Sequence, residues 1–253
     1  MNSVLEEIVT TGLTRTPGGE KVEVKPESIS PKEGRYLQQI IADLNPAATL
    51  EIGMAYGVSS LYICDALKIR DNTRHIIIDP QDSKMPWFRI GLNNLKEAGY
   101  EDIIEHRDMK SHTALPQLAA NGQRIDFAFI DGWHTFDYAF VDFFYIDKML
   151  RTGGVVVFDD ADWPSIRKLC RYIATNQSYS VVEPMYPIHN DKKSIKRSLV
   201  NKLLTMPATA EKMRYYFNPE VLETDFDLGL NGSCIAFKKE SEDTRRWDFH
   251  KSF

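Results

Sequence analysis

The stretch Thr49-Leu-Glu-Ile-Gly-Met-Ala-Tyr-Gly-Val-Ser-Ser60 decides the fold of this chain. Its first residues predict a short buried strand, which a glycine-rich turn and the start of a helix follow. Gly53 and Gly57 carry no Cβ, so the backbone of the turn can come close to a ligand. The helix that follows points its unpaired N–H groups at the same place. The stretch therefore predicts a strand–turn–helix unit that binds a ligand.

Strands and helices alternate on both sides of this unit. Apolar runs that end near residues 52, 79, 106, 130 and 158 predict strands, and helical patterns lie between them, with two further strands at 179–183 and 234–238. Continuous apolar strands separated by helices indicate a largely parallel sheet covered on both faces. We therefore expect an α/β fold with a doubly wound, Rossmann-like sheet, in which ligands bind beyond the carboxyl ends of the strands.

Length and composition restrict the class of protein. The 253 residues, 43% apolar and 26% charged, suit one globular domain. The net charge of −5 argues against binding to nucleic acid through phosphate contacts. Three cysteines that are far apart in sequence suit reduced thiols and a cytoplasmic location. We find no signal peptide and no apolar run of about 20 residues, so we expect no membrane span.

Two segments stand outside the alternating pattern. Residues 1–29 have weak periodicity and are predicted to form an irregular N-terminal arm. One domain is predicted over residues 30–253, and it opens with a helix capped by Ser30, Pro31 and Glu33. The segment 188–214 is rich in lysine and arginine. It predicts an amphipathic helix with a solvated basic face, although a lid or a subunit contact in a homo-oligomer is left open.

The turn after Glu51 differs from phosphate-binding glycine loops, because it lacks both the G-x-G-x-x-G spacing and a Lys-Ser/Thr pair. It resembles the first motif of the class I S-adenosylmethionine (SAM) methyltransferases. That resemblance implies SAM as cofactor and a sheet of about seven strands whose last strand is antiparallel. The cofactor-binding residues are then predicted to be Glu51, Gly53, Met54, Ala55, Tyr56, Gly57, Ser59, Ser60, Asp79, Ser111, His112, Asp131 and Trp133.

The positions of Asp79, Ser111 and His112 at strand ends also indicate cofactor binding. Asp79 ends the second strand of the unit, where a carboxylate accepts hydrogen bonds from ribose hydroxyls, although it could also be a turn residue before Pro80. Ser111 and His112 follow the next strand at a position that suits adenine. Ser111 could equally cap the next helix.

Three carboxylates are expected to converge beyond two neighbouring strands. Asp131 ends one strand, and Asp159 and Asp160 end the next. Close carboxylates repel one another unless a cation lies between them, and oxygen ligands suit Mg²⁺, Ca²⁺ or Mn²⁺. The alternative has Asp160 capping a turn and Asp131 accepting backbone hydrogen bonds, without a metal.

With these residues, the stretch 30–170 resembles the catechol-type, metal-dependent O-methyltransferases and related small-molecule methyltransferases. The resemblance implies a metal site at Asp131, Asp159 and Asp160, and an adenine contact at Trp133. His134 stands where that group usually has a lysine base, so it is the predicted catalytic base, or else a residue of the turn. We expect methyl transfer from SAM to a hydroxyl of a small molecule. The alternatives are a metal-free N- or O-methyltransferase and a non-catalytic SAM-binding protein.

Overall fold

The structure is a computed structural model that describes residues 2–24, 28–69, 71–182, 223–249 and 251–253. The basic segment 188–214 lies outside these residues, so the prediction of a helix there stays a prediction. The described strands are β1 (Leu13–Arg15), β2 (Lys21–Glu23), β3 (Ala48–Ile52), β4 (Arg74–Ile78), β5 (Ile104–Arg107), β6 (Ile125–Ile130), β7 (Leu150–Phe158), β8 (Tyr179–Val181) and β9 (Ile235–Lys239).

Seven described helices connect or flank the strands, and those between residues 30 and 176 follow the predicted pattern. They are α1 (Ser3–Thr11), α2 (Pro31–Leu44), α3 (Val58–Leu67), α4 (Ile90–Glu97), α5 (Ser111–Ala120), α6 (Phe136–Met149) and α7 (Pro164–Asn176). The capping box at α2 is confirmed, because Ser30 accepts from the Glu33 backbone N–H while the Glu33 carboxylate accepts from the Ser30 N–H. None of the described helices is long and apolar enough to cross a membrane.

The central sheet has seven strands in the order β5-β4-β3-β6-β7-β9-β8. The pairs β3–β4, β3–β6, β4–β5 and β6–β7 are parallel, whereas β9 runs antiparallel to both of its neighbours. The expected doubly wound sheet with an antiparallel last strand is thus confirmed. Apolar side chains cover both faces, one against α2, α3 and α4 and the other against α5, α6 and α7.

The prediction of an irregular N-terminal arm is wrong for the local structure of residues 3–23. This segment forms α1 and an antiparallel pair of strands, β1 and β2. Its signal was weak because the helix is short and the strands have three residues each, too short for a clear period. Leu5 and Ile8 are buried in the core on the α3 side of the sheet. Whether residues 1–29 form a separate unit stays a prediction.

A buried relay ties this N-terminal hairpin to the glycine turn. The Thr14 hydroxyl donates to the side-chain oxygen of Asn94, and the Asn94 amide donates to the carbonyl oxygen of Tyr56, at 2.8 and 2.9 Å. Asn94 is 1% exposed, so both of its polar atoms depend on these partners. The hairpin therefore supports the turn from the side of α4.

Candidate active site

The predicted site residues lie at one level of the sheet, just beyond the carboxyl ends of β4, β3, β6 and β7. The ladder of backbone hydrogen bonds continues one residue past these strands. Gly53 N–H donates to Ile78, Asp131 N–H to Ile52 and Asp159 N–H to Ile130, at 2.9–3.1 Å. The side chains that follow are held by this ladder on a shared edge, where ligands bind in sheets of this kind.

The glycine turn itself has the strained backbone that its sequence predicts. Gly53 and Gly57 adopt φ values of +83° and +78°, and Ala55 between them has a φ of +46°. No side chain caps the start of α3 at Gly57, so the first N–H groups of that helix face the turn without a side-chain acceptor. Such donors can hold a carboxylate of a ligand.

Asp79 supports the turn from the end of β4. Its Oδ2 accepts from the backbone N–H groups of Met54 and Ala55 at 2.7 and 3.3 Å, and its Oδ1 accepts from the Gln81 amide at 3.0 Å. The side chain is 6% exposed, and burial raises its pKa although the two backbone donors oppose that shift. Asp79 is therefore both a turn residue, as one alternative proposed, and a carboxylate at the position expected for ribose.

Glu51, Ser59 and Ser60 come together, but they contact one another. Both serine hydroxyls donate to the Glu51 carboxylate, and Glu51 and Ser60 have no exposed surface. These side chains lie beneath the turn and not on its open side. Because these side chains are buried, the structure gives no support to the prediction that they contact the cofactor directly.

The remaining predicted cofactor contacts come from the start of α5, with Ser111 and His112, and from the turn after β6, with Trp133. Trp133 is 67% exposed, and the Tyr138 ring lies between it and His112, with ring centroids 6.5 and 5.6 Å away. Exposed aromatic rings gathered at a site suit a flat ligand. The N-cap of α5 is Lys110, so the alternative role of Ser111 as its cap is wrong. Tyr138 was missed by the sequence reasoning, because nothing in its helical pattern separates it from a surface residue.

The carboxylate cluster forms beyond β6 and β7, with a different third member from the one predicted. Asp131, His134 and Asp160 each place one ligand atom within 4.8 Å of the other two. His134 Nε2 lies 3.4 Å from Asp131 Oδ1 and 3.3 Å from Asp160 Oδ2. Asp159 adjoins this group but is not one of the three. A left-handed backbone at Asp160, φ +48°, turns its side chain toward His134.

The charges of the cluster explain its pKa shifts. Burial raises the pKa of Asp131 to about 6 and that of Asp159 to about 9, and for Asp159 the charges of Asp131 and Glu33 add to the effect. The pKa of Asp160 is also raised by burial, and that of His134 is raised by the Asp131 carboxylate beside it. Three carboxylates therefore lie near a single histidine, and a further positive charge would relieve their repulsion. Glu33 was read only as a helix cap, and no pattern in the sequence connects it with Asp159.

The surroundings of His134 Nε2 indicate whether a cation fits this cluster. This atom is buried away from water and makes no hydrogen bond, although two carboxylate oxygens lie near it. A nitrogen without a hydrogen-bond partner and two nearby carboxylate oxygens form a set of ligand atoms that can bind a divalent cation. The residues present therefore fit a cation. The ring of Trp163, 51% exposed, stands 5.1 Å from the His134 ring and forms a wall beside this site.

Three further acidic residues lie near the cluster in sequence. Asp142, on α6, is 1% exposed because its side chain points beneath Gly132, toward Ser111 of α5. Asp162 precedes α7 but does not cap it, since the N-cap is Trp163, which makes no side-chain cap hydrogen bond. Asp137, also on α6, is exposed.

A groove beside the site lies away from the carboxylates. Its volume is about 760 Å³, and it lies between α4, β5 and the β1–β2 loop, with Pro17, Gln81, Phe88, Arg89 and His106 among its lining residues. Gln81 connects it to the site, since its amide donates to Asp79 and its side-chain oxygen accepts from the Arg89 N–H.

Comparison with known proteins agrees with this geometry. Residues 50–161 match the family model of a methyltransferase domain. The chain is 27% identical over 140 residues to a caffeoyl-CoA O-methyltransferase of Populus kitakamiensis, covering 54% of this chain and 56% of that protein. It is 25% identical over 134 residues to a flavonoid 3',5'-methyltransferase of Vitis vinifera, covering 52% and 54%. The chain thus spans about half the length of the curated relatives it matches.

Solved structures show the same fold. An O-methyltransferase from Bacillus cereus in complex with SAH superposes with a TM-score of 0.58 at 22% identity, covering 72% of this chain and 83% of that one. The O-methyltransferase TomG from Streptomyces achromogenes, in complex with SAM, gives a TM-score of 0.54 at 22% identity and covers 62% and 74%. The chain therefore contains a stretch that matches a methyltransferase domain, is similar in sequence to caffeoyl-CoA O-methyltransferases over about half its length, and has the fold of O-methyltransferases solved with SAM or SAH.

Proposed function

We propose that this protein transfers a methyl group from SAM to a hydroxyl of a small molecule, with help from a divalent cation. One observation carries the proposal. The glycine turn and the Asp131–His134–Asp160 cluster meet at adjacent strand ends, and Gly53 packs directly on the backbone of Asp131. A methyl donor in the turn and an acceptor oxygen at the cluster would thereby be neighbours.

Different residues of the chain would bind different parts of SAM. The first turn of α3 offers backbone N–H groups to the carboxylate of the cofactor's amino-acid part, and Asp79 stands at the ribose position. Trp133, Tyr138 and His112 offer aromatic faces to the adenine. When bound, SAM supplies an electrophilic methyl group.

The cation would be held by Asp131 and Asp160, with His134 or Asp159 as a further ligand. When bound, it lowers the pKa of an acceptor hydroxyl. Where Asp159 is the further ligand, the Nε2 of His134 is free to take the proton of that hydroxyl, because it faces both carboxylates and has no hydrogen-bond partner; the same nitrogen would not act as ligand and base together. The ring of Trp163 lies beside His134 and would border a bound acceptor on that side.

A metal-free methyltransferase is the second candidate, and the distances of His134 support it. At 3.3 and 3.4 Å from two carboxylates, a protonated His134 would itself supply the missing positive charge. An acceptor amine could then bind Asp159. Treatment with EDTA separates the two candidates, because only the metal-assisted enzyme would lose turnover.

The test begins with calorimetry of SAH binding to the wild-type chain. Transfer of labelled methyl from SAM to phenols, sugar hydroxyls and amines is then measured with Mg²⁺, with Mn²⁺ and after EDTA. The proposal predicts SAH binding and Mg²⁺-dependent methylation of at least one hydroxyl compound. Folded protein that binds no SAH at millimolar concentration would overturn it. We further propose a cytoplasmic location, which the three buried, unbridged cysteines favour.

A further inference from the structure

A buried polar chain crosses from β3 to β4 directly beneath the glycine turn. The His75 ring lies between Thr49 and Glu51, with its Nδ1 2.8 Å from the Thr49 hydroxyl and its Nε2 2.8 Å from Glu51 Oε2. All three side chains are 0% exposed. Thr49 and His75 are direct partners in the parallel ladder, so the chain is built into the register of the two strands.

Glu51 continues this chain into α3. Its Oε1 accepts from the Ser59 hydroxyl, and its Oε2 accepts from the Ser60 hydroxyl as well as facing His75. Ser59 and Ser60 belong to the first turn of α3, which begins at Gly57 without a side-chain cap. A carboxylate beneath the start of a helix is favoured by the helix dipole. Glu51 therefore couples the strand pair to the first turn of α3 through the two serine hydroxyls, and it leaves the backbone N–H groups of that turn free for a ligand.

The coupling depends on His75. A buried carboxylate must have its lone pairs filled, because leaving a charged group underpaired costs more than a neutral hydrogen bond returns. Two serine hydroxyls alone leave one face of Glu51 without a donor, and the ring of His75 fills that face. The ring also has a partner at its other nitrogen, so its plane is held from both sides.

We propose that His75 is a positioning residue of the cofactor site, which acts through Glu51 on Ser59 and Ser60 and so holds the first turn of α3 in its binding position. The inference rests on the proposed function, since it concerns the affinity of the turn for SAM. It assigns a role to a histidine that touches neither cofactor nor acceptor. It also gives Glu51, Ser59 and Ser60 a supporting role in place of direct contact.

The experiment compares His75→Leu, which removes both hydrogen bonds, with His75→Gln, whose amide can still donate to Glu51. Ile173→Ala, in the core under α7, is the control for a general loss of stability. SAH affinity is measured by calorimetry, and amide exchange of residues 53–61 by mass spectrometry. We expect His75→Leu to weaken SAH binding by about tenfold or more, from loss of a buried bond to a charged group. Exchange at 53–61 should be faster, and His75→Gln should recover most of both.

Several results would overturn the inference. One is folded His75→Leu protein with wild-type SAH affinity. Another is an equal loss of SAH affinity in Ile173→Ala at a matched thermal midpoint. If His75→Leu does not fold, Ser59→Ala and Ser60→Ala test the same coupling from the helix side, and unchanged SAH affinity in both would overturn it. Failure of the wild-type chain to bind SAH would instead count against the proposed function.

Discussion

A first side-chain carbon at Gly53 would lie 2.0 Å from the carbonyl oxygen of Asp131. The glycine turn after β3 and the turn after β6 are thus in backbone contact, and no side chain fits between them. Gly57 is similarly close to Gly91, whose carbonyl oxygen would stand 3.0 Å from a Cβ at Gly57. The glycines of the motif therefore bring protein backbones together, in addition to leaving room for a ligand.

The Gly53–Asp131 contact predicts a large loss of stability in Gly53→Ala. Gly19→Ala is the matched control, because Gly19 has a similar φ of +86° but open space around its Cβ position. The control should lose about 1–2 kcal/mol from the left-handed backbone. Gly53→Ala should lose at least about 2 kcal/mol more, because the turn must move away from Asp131. Urea unfolding measures both, and equal losses in the two variants would refute the steric argument.

Trp133→Ala is expected to weaken SAH binding by about tenfold, the size of one lost aromatic stacking contact. The exposed indole should also lose fluorescence when SAH binds to the wild type. Trp247→Ala is the control, since Trp247 is 94% exposed and far from the site residues in sequence. The adenine assignment of Trp133 would be abandoned if the two variants bound SAH equally well.

Asp160→Asn is expected to reduce the affinity for Mn²⁺ at least about tenfold, because few protein ligands hold such a cation and each carries much of the binding. Asp162→Asn, two residues on and exposed, should change Mn²⁺ affinity far less, because it acts on Asp160 only through its charge. Calorimetry or Mn²⁺ electron paramagnetic resonance gives the affinities. Equal Mn²⁺ binding by Asp160→Asn and the wild type would favour the metal-free candidate.

His134→Ala is expected to lower kcat by about 10²–10⁴-fold, the usual contribution of a general base, while SAH affinity is kept. His134→Lys should retain part of the activity. Mn²⁺ affinity separates the two roles of His134: a fall in parallel with kcat would show a metal ligand, and a kcat loss at constant Mn²⁺ affinity would show a base. Wild-type kcat in His134→Ala would exclude both roles.

The buried carboxyl of Asp142 should make the free energy of unfolding depend on pH. Burial raises its pKa to about 6 in the folded protein from an ordinary 3.8, so folding favours the protonated carboxyl. That contribution is complete below about pH 4 and is lost as pH rises through about 6. Asp142→Asn, which stays neutral, should therefore be more stable than the wild type at pH 7.5, by up to about 3 kcal/mol.

The gain of Asp142→Asn should disappear at pH 4. Asp137→Asn, exposed on the same helix, is the control and should show no comparable change. Urea unfolding at the two pH values measures the difference. A gain that is the same at pH 4 and pH 7.5 would show that the charge of Asp142 is not its cause.

The sequence predicted local backbone geometry well, and the roles of the site residues stay predictions. Gly53 and Gly57 are found in left-handed turns, and Asp79, Asp131 and Asp159 each end a strand, because apolar runs mark where parallel strands stop. It could not predict the partners of each side chain. His75 was left without a role, since its contacts with Thr49 and Glu51 exist only when β3 and β4 pair in register.

The amino-acid sequence by itself therefore determined the order of α2 to α7 and β3 to β9, the glycine turn and the strand ends that carry polar residues. These depend on periodicity, caps and backbone freedom within a few residues. Tertiary structure alone decided that His134 stands between Asp131 and Asp160, that Glu33 adds its charge to Asp159, and that Asp142 is buried. Those outcomes depend on distances and desolvation between elements far apart in the chain, which no local pattern encodes.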